Sequence, residues 1–300
     1  MKLHLYNSYK REKESFEPIR DGYVGLYTCG PTVYDYAHIG NFRTFIFEDL
    51  LKRWLIHLGY DVKHIMNITD VDDKTIKKAN DESVALNIIT DRYTSCFMED
   101  LKWLKMIPAD EFPRATDYID KMISMIQTLI DKNFAYKDND GSVYFDINSF
   151  QEYGCLTNLN IKGQKQTKRI NDDEYEKDSP QDFALWKGWK KEDGDIVWNA
   201  PWGKGRPGWH IECSAMSIDA LGDHFDIHCG GIDNMFPHHE NEIAQSVCST
   251  GKPFVNYWLH SEFLLVDGGK MSKSLGNYYT IKDLIKKEFS AESIRYQLLS

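Results

Sequence analysis

The chain has 300 residues, of which 42% are hydrophobic, enough to bury the core of one large domain or of one domain that carries an insertion. Its formal net charge of -10 argues against general polyanion binding, although a local basic surface is compatible with it. No apolar run reaches the ~20 residues that cross a bilayer, and the first residues, 1–6, lack the apolar stretch of a signal peptide, so a cytoplasmic protein without membrane association is expected. The six cysteines are widely spaced, which favours free thiols or metal ligands over a disulfide framework.

The first part of the chain has the pattern of a β-α-β unit. Residues 22–29 are rich in β-forming side chains and are followed by Gly30-Pro31, which predicts a buried strand. Apolar residues then recur at helical spacing over about 39–58, and a second strand is predicted at 61–69. This order predicts a parallel sheet and a nucleotide-binding half-fold.

The middle of the chain departs from this order. A helix is predicted at about 116–133, and a hairpin at 136–147 with its turn at 139–141. Residues 160–178 have almost no apolar side chains, and a basic run there is followed by an acidic run. We expect this stretch to be a mobile surface segment.

The α/β pattern returns from Pro207. It comprises a helix from Trp209, a strand at 224–228, a helix starting near Pro237 and a strand at 258–266. These elements predict an α/β fold, with a Rossmann-like doubly wound parallel sheet and an inserted connective α/β subdomain. The predicted boundaries are the two halves of the Rossmann domain at 1–115 and 201–300 and the insertion at 116–200.

Four side chains are candidates for a metal site. His238 and Glu242 are four residues apart on one face of a predicted helix, a spacing that suits zinc ligation. Cys29 at a strand end and Cys213 on the helix predicted from Trp209 would complete a set of two thiolates, one imidazole and one carboxylate. Spacing alone leaves open whether the four meet, because a single cysteine is also typical of a buried apolar position. Trp209 precedes Cys213 by one helical turn, so it would flank whatever binds beside the metal.

Two motifs suit phosphate binding. His38-Ile39-Gly40-Asn41 begins the first long helix, where free amides and the helix dipole attract anions. The stretch 267–274, with Lys270 and Lys273 after a Gly-Gly hinge, suits a triphosphate whose charge shifts during reaction.

These two motifs resemble the HIGH and KMSKS signatures of class I aminoacyl-tRNA synthetases, which bind ATP on a Rossmann fold. Residues 28–35, 67–74, 205–216 and 236–246 resemble the cysteinyl-tRNA synthetase family in particular, and the resemblance spans nearly the whole chain. The first motif departs from its signature at Asn41, where the name has histidine. An amide still donates a hydrogen bond to phosphate, so function is expected to survive with altered electrostatics.

The resemblance implies a ligase that activates L-cysteine with ATP and transfers it to tRNA(Cys), with one Zn²⁺ per chain and Mg²⁺ accompanying ATP. The implied zinc ligands are Cys29, Cys213, His238 and Glu242. The implied contacts with cysteine are Cys29, Gly30, Thr69 and Trp209. The implied contacts with ATP are Gly30, Thr32, His38, Gly40, Asn41, Asp233 and Lys273. The residues implied in catalysis are His38, Asn41, Lys270 and Lys273.

The chain ends roughly where the family's stem-contact and anticodon-binding region begins. We therefore expect a truncated chain, with the start of the stem-contact helices but no anticodon-binding domain, and a monomer. Two other functions stay open: a cysteine ligase of low-molecular-weight thiol biosynthesis with an amino-sugar acceptor, and a non-catalytic zinc or RNA-binding module descended from a synthetase. The two lysines of the 267–274 loop beside a full metal set argue against the module, since a binder needs no triphosphate machinery.

Overall fold

The structure is a computed structural model that describes residues 2–159, 181–266, 271 and 277–300, and the backbone alone at 169–170 and 269–270. The predicted mobile segment at 160–178 therefore lies outside the described residues, apart from that short stretch of backbone. Lys273 also lies outside them, and the side chain of Lys270 is not described.

The elements follow in this chain order. The first half contains β1 (His4–Asn7), β2 (Glu12–Ser15), β3 (Tyr23–Thr28), α1 (Ile39–His57), β4 (Asp61–Met66), α2 (Asp73–Glu82), α3 (Leu86–Trp103) and α4 (Ile119–Asp131). The middle contains β5 (Ala135–Lys137), β6 (Val143–Phe145), β7 (Arg169–Ile170), β8 (Asp182–Gly188), β9 (Trp198–Ala200) and β10 (Gly203–Pro207). The last part contains α5 (Trp209–Leu221), β11 (Phe225–Gly231), α6 (Glu240–Thr250), β12 (Val255–Ser261), β13 (Leu265–Val266), β14 (Gly269–Lys270), α7 (Ile281–Lys286) and α8 (Ala291–Leu299).

A parallel sheet of four strands, in the order β12-β11-β3-β4, forms the centre of the fold. β3 and β4 pair in parallel on either side of α1, with Tyr23 opposite Asp61 and Thr28 opposite Met66. The predicted β-α-β unit and the α/β class with a parallel sheet are therefore confirmed.

Helices cover both faces of this sheet. Successive residues of a strand point to opposite faces, and the fully buried neighbours Leu26 and Tyr27 lie in different apolar clusters. Leu26 shares its cluster with Leu55 of α1, whereas Tyr27 shares its cluster with Ile211 of α5. No helix in the described part of the chain is both long enough and apolar enough to span a membrane.

The second sheet has the order β5-β6-β8-β10-β9, with β7 also paired to β8. β5 and β6 form the predicted hairpin: the Asp138 amide donates to the Ser142 carbonyl at 2.8 Å, and Gly141 has a φ of +83° that favours glycine. The last residue of β10, Pro207, is separated from α5 by Gly208 alone. The second sheet thus leads directly into the helix that carries Trp209 and Cys213. The predicted domain boundaries at 116 and 200 stay predictions.

Two predicted elements differ in detail from the structure. The helix expected near Pro237 begins at Glu240, because residues 235–239 form a wide π-helical turn in which Phe236 is extended (φ -136°, ψ 135°). The strand expected at 258–266 ends at Ser261, and β13 follows as a separate short strand.

Candidate active site

A cleft of about 350 Å³ opens beyond the carboxyl ends of the parallel strands, where open α/β sheets bind their ligands. Its volume lies within the range of small-molecule sites. Eight of the predicted site residues line it: Cys29, Gly30, Thr32, His38, Gly40, Asn41, Trp209 and Asp233. The cleft therefore brings together both the first phosphate motif and one end of the predicted metal site.

The segment after β3 crosses closely over the segment after β4. A Cβ on Gly30 would lie 1.7 Å from the Asn67 carbonyl oxygen, and the Gly30 amide donates to Asn67 Oδ1 at 2.9 Å. The Val33 amide donates to the Thr69 carbonyl at 3.1 Å. Only glycine fits at position 30, and this close crossing sets the shape of the cleft wall.

His38 and Asn41 cap α1 reciprocally. The His38 amide donates to Asn41 Oδ1 at 3.1 Å, and the Asn41 amide donates to His38 Nδ1 at 3.3 Å. Because His38 Nδ1 accepts a hydrogen bond, a neutral His38 ring carries its hydrogen on Nε2. In the Asn41 side chain, Oδ1 accepts from the His38 amide, and the Nδ2 group is the part that can donate to a ligand.

The second phosphate motif approaches the first through Met271. A Cβ on Gly40 would lie 2.7 Å from Met271 Cε, so this side chain of the 267–274 stretch contacts the start of α1. Met271 and Tyr278 both line the cleft. Lys273 lies outside the described residues, and the position of the Lys270 side chain is not described.

The four predicted metal ligands meet behind the cleft wall. One donor atom each from Cys29, Cys213, His238 and Glu242 lies within 4.8 Å of the others, and all four side chains are buried. Donors arranged tetrahedrally around zinc, with bonds of ~2.0–2.3 Å, stand about 3.5 Å apart. The donor set, two thiols with one imidazole and one carboxylate, suits Zn²⁺.

The two thiols differ in acidity because of their neighbours. Burial and the hydrogen bond with Cys213 raise the pKa of Cys29 well above 9.0. Burial opposes ionisation of Cys213 as well, but the hydrogen bond from Cys29 and the charge of His238 outweigh it and hold the pKa of Cys213 well below 9.0. The hydrogen bond between the two thiols thus shifts their pKa values in opposite directions.

Two further histidines reach the same site and were missed from the sequence. His239 Nε2 lies 3.2 Å from Cys29 Sγ, and His228 Nε2 lies 3.0 Å from Glu242 Oε2. Together with Cys29 and Glu242 they form a second group with metal-ligand spacing. Two signals mark them in the sequence: His239 adjoins His238, and His228 ends the strand predicted at 224–228, although β11 itself continues to Gly231.

The Glu242 carboxylate favours the predicted set over the second one. Its Oε2 is engaged by His228, whereas Oε1 accepts no hydrogen bond from the described residues although His238 Nε2 lies 3.1 Å away. A buried carboxylate oxygen without a hydrogen bond suits a cation that is bound by both this oxygen and His238. The predicted set also contributes two sulfur donors, against one in the second set.

From His239 a hydrogen-bonded chain continues away from the candidate ligands. His239 Nδ1 lies 2.8 Å from His260 Nε2, and His260 Nδ1 lies 2.8 Å from Ser8 Oγ. Burial lowers the pKa of His228 and that of His260 to about 3. These lowered pKa values favour neutral rings at pH 7.

Trp209 joins the cleft to the metal ligands. Its ring stacks on His238 with centroids 4.2 Å apart, and it also lines the cleft. Thr69 is not among the lining residues: it is 1% exposed, its hydroxyl donates to Glu212 Oε2 at 2.9 Å, and it accepts from Asn67 Nδ2 at 3.1 Å. Glu212 was not predicted from the sequence.

Sequence comparison gives consistent relatives. The family model described as the tRNA synthetases class I (C) catalytic domain matches residues 15–300. A cysteine–tRNA ligase of Chlamydia muridarum (strain MoPn / Nigg) is 58% identical over 300 residues, covering all of this chain and 63% of the relative. One of Protochlamydia amoebophila (strain UWE25) is 54% identical over 300 residues, covering 99% of this chain and 63% of the relative. The chain thus spans a little under two thirds of these relatives.

Solved structures support the same fold. A Mycobacterium tuberculosis methionyl-tRNA synthetase in complex with methionyl-adenylate superposes with a TM-score of 0.70 at 14% identity, covering 92% of this chain and 64% of that one. A putative arginyl-tRNA synthetase from Campylobacter jejuni gives a TM-score of 0.61 at 15% identity, covering 95% and 64%. The fold thus agrees with the match of the family model over residues 15–300, which shows that the chain belongs to the family of tRNA synthetase class I (C) catalytic domains.

Proposed function

We propose that the chain is the catalytic region of a cysteine–tRNA ligase. It joins the carboxylate of L-cysteine to the α-phosphorus of ATP, forming cysteinyl-adenylate and releasing pyrophosphate. In a protein with the full length of the relatives, the cysteinyl group then passes to the 3′ end of tRNA(Cys). One observation carries this proposal. Cys29 lines a cleft of the size of a small-molecule site and also belongs to a buried set of two thiols, an imidazole and a carboxylate.

Amino-acid selection is proposed to depend on a zinc ion held by Cys29, Cys213, His238 and Glu242. Zinc bound there would supply a soft Lewis acid that prefers the sulfur of cysteine to the hydroxyl of serine. The two amino acids are nearly isosteric, so shape alone separates them poorly. In support, Cys29 both belongs to the donor set and lines the cleft, so a ligand in the cleft can reach the metal.

The cysteine pocket is proposed to lie between Gly30 and Trp209. Trp209 packs its ring on His238, which orients this ligand and walls the pocket at the same time. Thr69 is proposed to support the pocket from behind: its hydroxyl donates to Glu212 and accepts from Asn67, whose Oδ1 in turn accepts from the Gly30 amide.

ATP is proposed to occupy the other end of the cleft. His38, Gly40 and Asn41 offer the start of α1 to the phosphates, with Thr32 beside them. The Asp233 carboxylate can accept hydrogen bonds from ribose hydroxyls. Lys270 and Lys273 are proposed to neutralise charge on the leaving pyrophosphate, and Mg²⁺ to enter with ATP.

This chemistry depends on positioning rather than on covalent help from the protein. Holding the carboxylate and the α-phosphorus in line supplies most of the advantage. The activity is expected in the cytoplasm, where translation takes place, and the predicted monomer stays a prediction.

Cysteine-dependent exchange of pyrophosphate into ATP tests the proposal. We expect exchange with L-cysteine, at least 100-fold less with L-serine, and about one zinc ion per chain in the same sample. Zinc-loaded protein that supports no exchange would contradict the catalytic proposal and favour a non-catalytic binding module.

A further inference from the structure

Lys74 is a cleft residue to which the proposed reaction gives no role. Three carboxylates line the cleft, those of Asp35, Asp233 and Glu262. Among the lining residues that the structure describes, Lys74 is the sole lysine or arginine. A triphosphate that enters an acidic cleft needs a nearby cation to offset the repulsion, and Lys74 stands where it can provide one.

The backbone that carries Lys74 is held firmly. Lys74 is the second residue of α2, whose start is closed by a capping box: the Thr75 amide donates to Asp72 Oδ1 at 2.8 Å, and the Asp72 amide donates to Thr75 Oγ1 at 2.8 Å. Lys74 Nζ lies 5.9 Å from the ring centroid of Tyr34, another lining residue. The lysine is therefore directed along the cleft wall.

The neighbouring Asp73 ties this helix start to the second sheet. Lys187 Nζ on β8 donates to Asp73 Oδ2 at 2.7 Å, and Arg206 on β10 donates to Asp73 Oδ1. Both cations are only 6% exposed, and Arg206 Nε also donates to Asp193 Oδ1 at 3.0 Å. Because an unpaired buried charge is strongly unfavourable, these contacts hold Asp73 in place.

The same ionic cluster lies close in the chain to a second lining residue of the cleft, Trp209. Arg206 is three residues before Trp209, with Pro207 and Gly208 between them. Asp73 and Lys74 are adjacent in the chain. The cluster therefore ties the start of α2, which carries Lys74, to the strand β10 that leads into Trp209.

We propose that Lys74 binds a phosphate group of the nucleotide in the cleft, and that Asp73 is a positioning residue that holds Lys74 there through Lys187 and Arg206. This inference rests on the proposed ATP-dependent function. It adds a phosphate contact from α2 to those predicted from the start of α1 and from the 267–274 loop.

Variants of Lys74 test the contact in the zinc-loaded chain. Lys74→Ala is expected to raise the KM for ATP in pyrophosphate exchange by about 10- to 100-fold, the effect of losing one charge-assisted hydrogen bond. The KM for cysteine should stay within about twofold, and Lys74→Arg should recover most of the loss. The matched control is Lys77→Ala, on the same helix, whose lysine is 75% exposed and pairs with Asp81. An unchanged KM for ATP in Lys74→Ala would overturn the proposal.

Binding of inorganic pyrophosphate, measured by calorimetry on the same proteins, separates this inference from the proposed function. If exchange is absent even in the parent chain, the proposed function fails, but weaker pyrophosphate binding in Lys74→Ala than in Lys77→Ala still supports Lys74 as a phosphate ligand. Equal binding in the two variants would refute it.

The positioning role of Asp73 is tested by combining variants. Asp73→Asn should raise the KM for ATP, and adding it to Lys74→Ala should cause little further change, because both act on one contact. Asp73→Glu retains the charge and replaces Asp73→Asn in the same combination with Lys74→Ala if Asp73→Asn does not fold. Fully additive effects on the KM would contradict the positioning role.

Discussion

Glu242 illustrates how much the site depends on single atoms. One carboxylate oxygen is engaged by His228, while the other faces His238 without a hydrogen bond from the described residues. The different surroundings of these two oxygens favour the predicted ligand set over the second set, which contains His228 and His239. The pattern Pro-His-His-Glu-Asn-Glu predicts both His238 and Glu242, but it cannot predict that a residue of β11 faces the same carboxylate.

Replacing Cys213 tests the predicted ligand set. Cys213→Ser is expected to lose zinc and most cysteine-dependent exchange, because a serine hydroxyl is a poor zinc ligand at neutral pH. Zinc per chain and pyrophosphate exchange are measured on the same sample. Cys248→Ser, the same change at a buried cysteine on α6 outside both sets, should keep its zinc.

His228 distinguishes the two sets. If the predicted set is correct, His228→Asn loses only a hydrogen bond to a ligand, and zinc affinity falls by about 10- to 100-fold without being abolished. Complete zinc loss in this variant together with zinc retention in Cys213→Ser would reverse the assignment.

His64 makes the stability of the folded chain depend on pH, and it is not a member of either candidate ligand set. Burial, and next the charge of Lys52, lower its pKa to about 3 from the ordinary 6.5. The unfolded chain binds this proton near pH 6.5 and the folded chain near pH 3, so the contribution to stability is complete above pH 6.5 and is lost as the pH falls towards 3.

Urea unfolding between pH 7 and pH 5 measures this effect. The free energy of unfolding of His64→Gln should fall less steeply with decreasing pH than that of the parent, by up to about 1.4 kcal/mol per pH unit. His57→Gln, at the end of α1, is the control. Parallel pH profiles for the parent and His64→Gln would contradict the account.

At the scale of elements, predictability followed the strength of the apolar pattern. β3, α1 and β4 have regular apolar spacing and were predicted with bounds close to those observed. α2 was missed because only Thr75, Ile76 and Ala79 are buried in ten otherwise polar residues. The start of α6 was placed three residues early, because a proline favours a helix start and the π-helical turn at 235–239 has no sequence signature.

Glu240 fixes the start of α6 against the loop at 154–157. Its carboxylate is fully buried and accepts from the Gly154 amide, the Thr157 amide and the Thr157 hydroxyl at 2.8, 3.0 and 2.8 Å. Glu240→Ala should lower the free energy of unfolding by about 3 kcal/mol, since three donors lose their acceptor. Glu240→Gln keeps an acceptor oxygen and should lose less; equal losses in urea unfolding would argue against this role.

At the scale of the whole molecule, the candidate metal site joins segments far apart in the chain. Cys29 follows β3, Cys213 lies on α5, and His238 and Glu242 flank the start of α6. The sequence predicted the members of this set through a family resemblance, whereas their meeting depends on a parallel sheet that brings residues separated by about 200 positions to one edge. Such long-range register leaves no local pattern.

Metal binding across these segments should stabilise the entire fold. Free Zn²⁺ at about 100 times its Kd is expected to add about 2.7 kcal/mol to the free energy of unfolding. Thermal melts over a zinc titration, starting from chelator-treated protein, measure it. The Cys213→Ser chain should show no such rise, and a melting temperature insensitive to zinc in the parent would contradict the site.

The most direct measurement replaces zinc with Co²⁺ and records the thiolate-to-cobalt absorption as amino acids are added. We expect absorption from Cys29 and Cys213 in the free protein, a further increase on adding L-cysteine, and no increase on adding L-serine. Absorption that is unchanged by L-cysteine at saturating concentration would contradict selection of the substrate by direct contact between its sulfur and the metal.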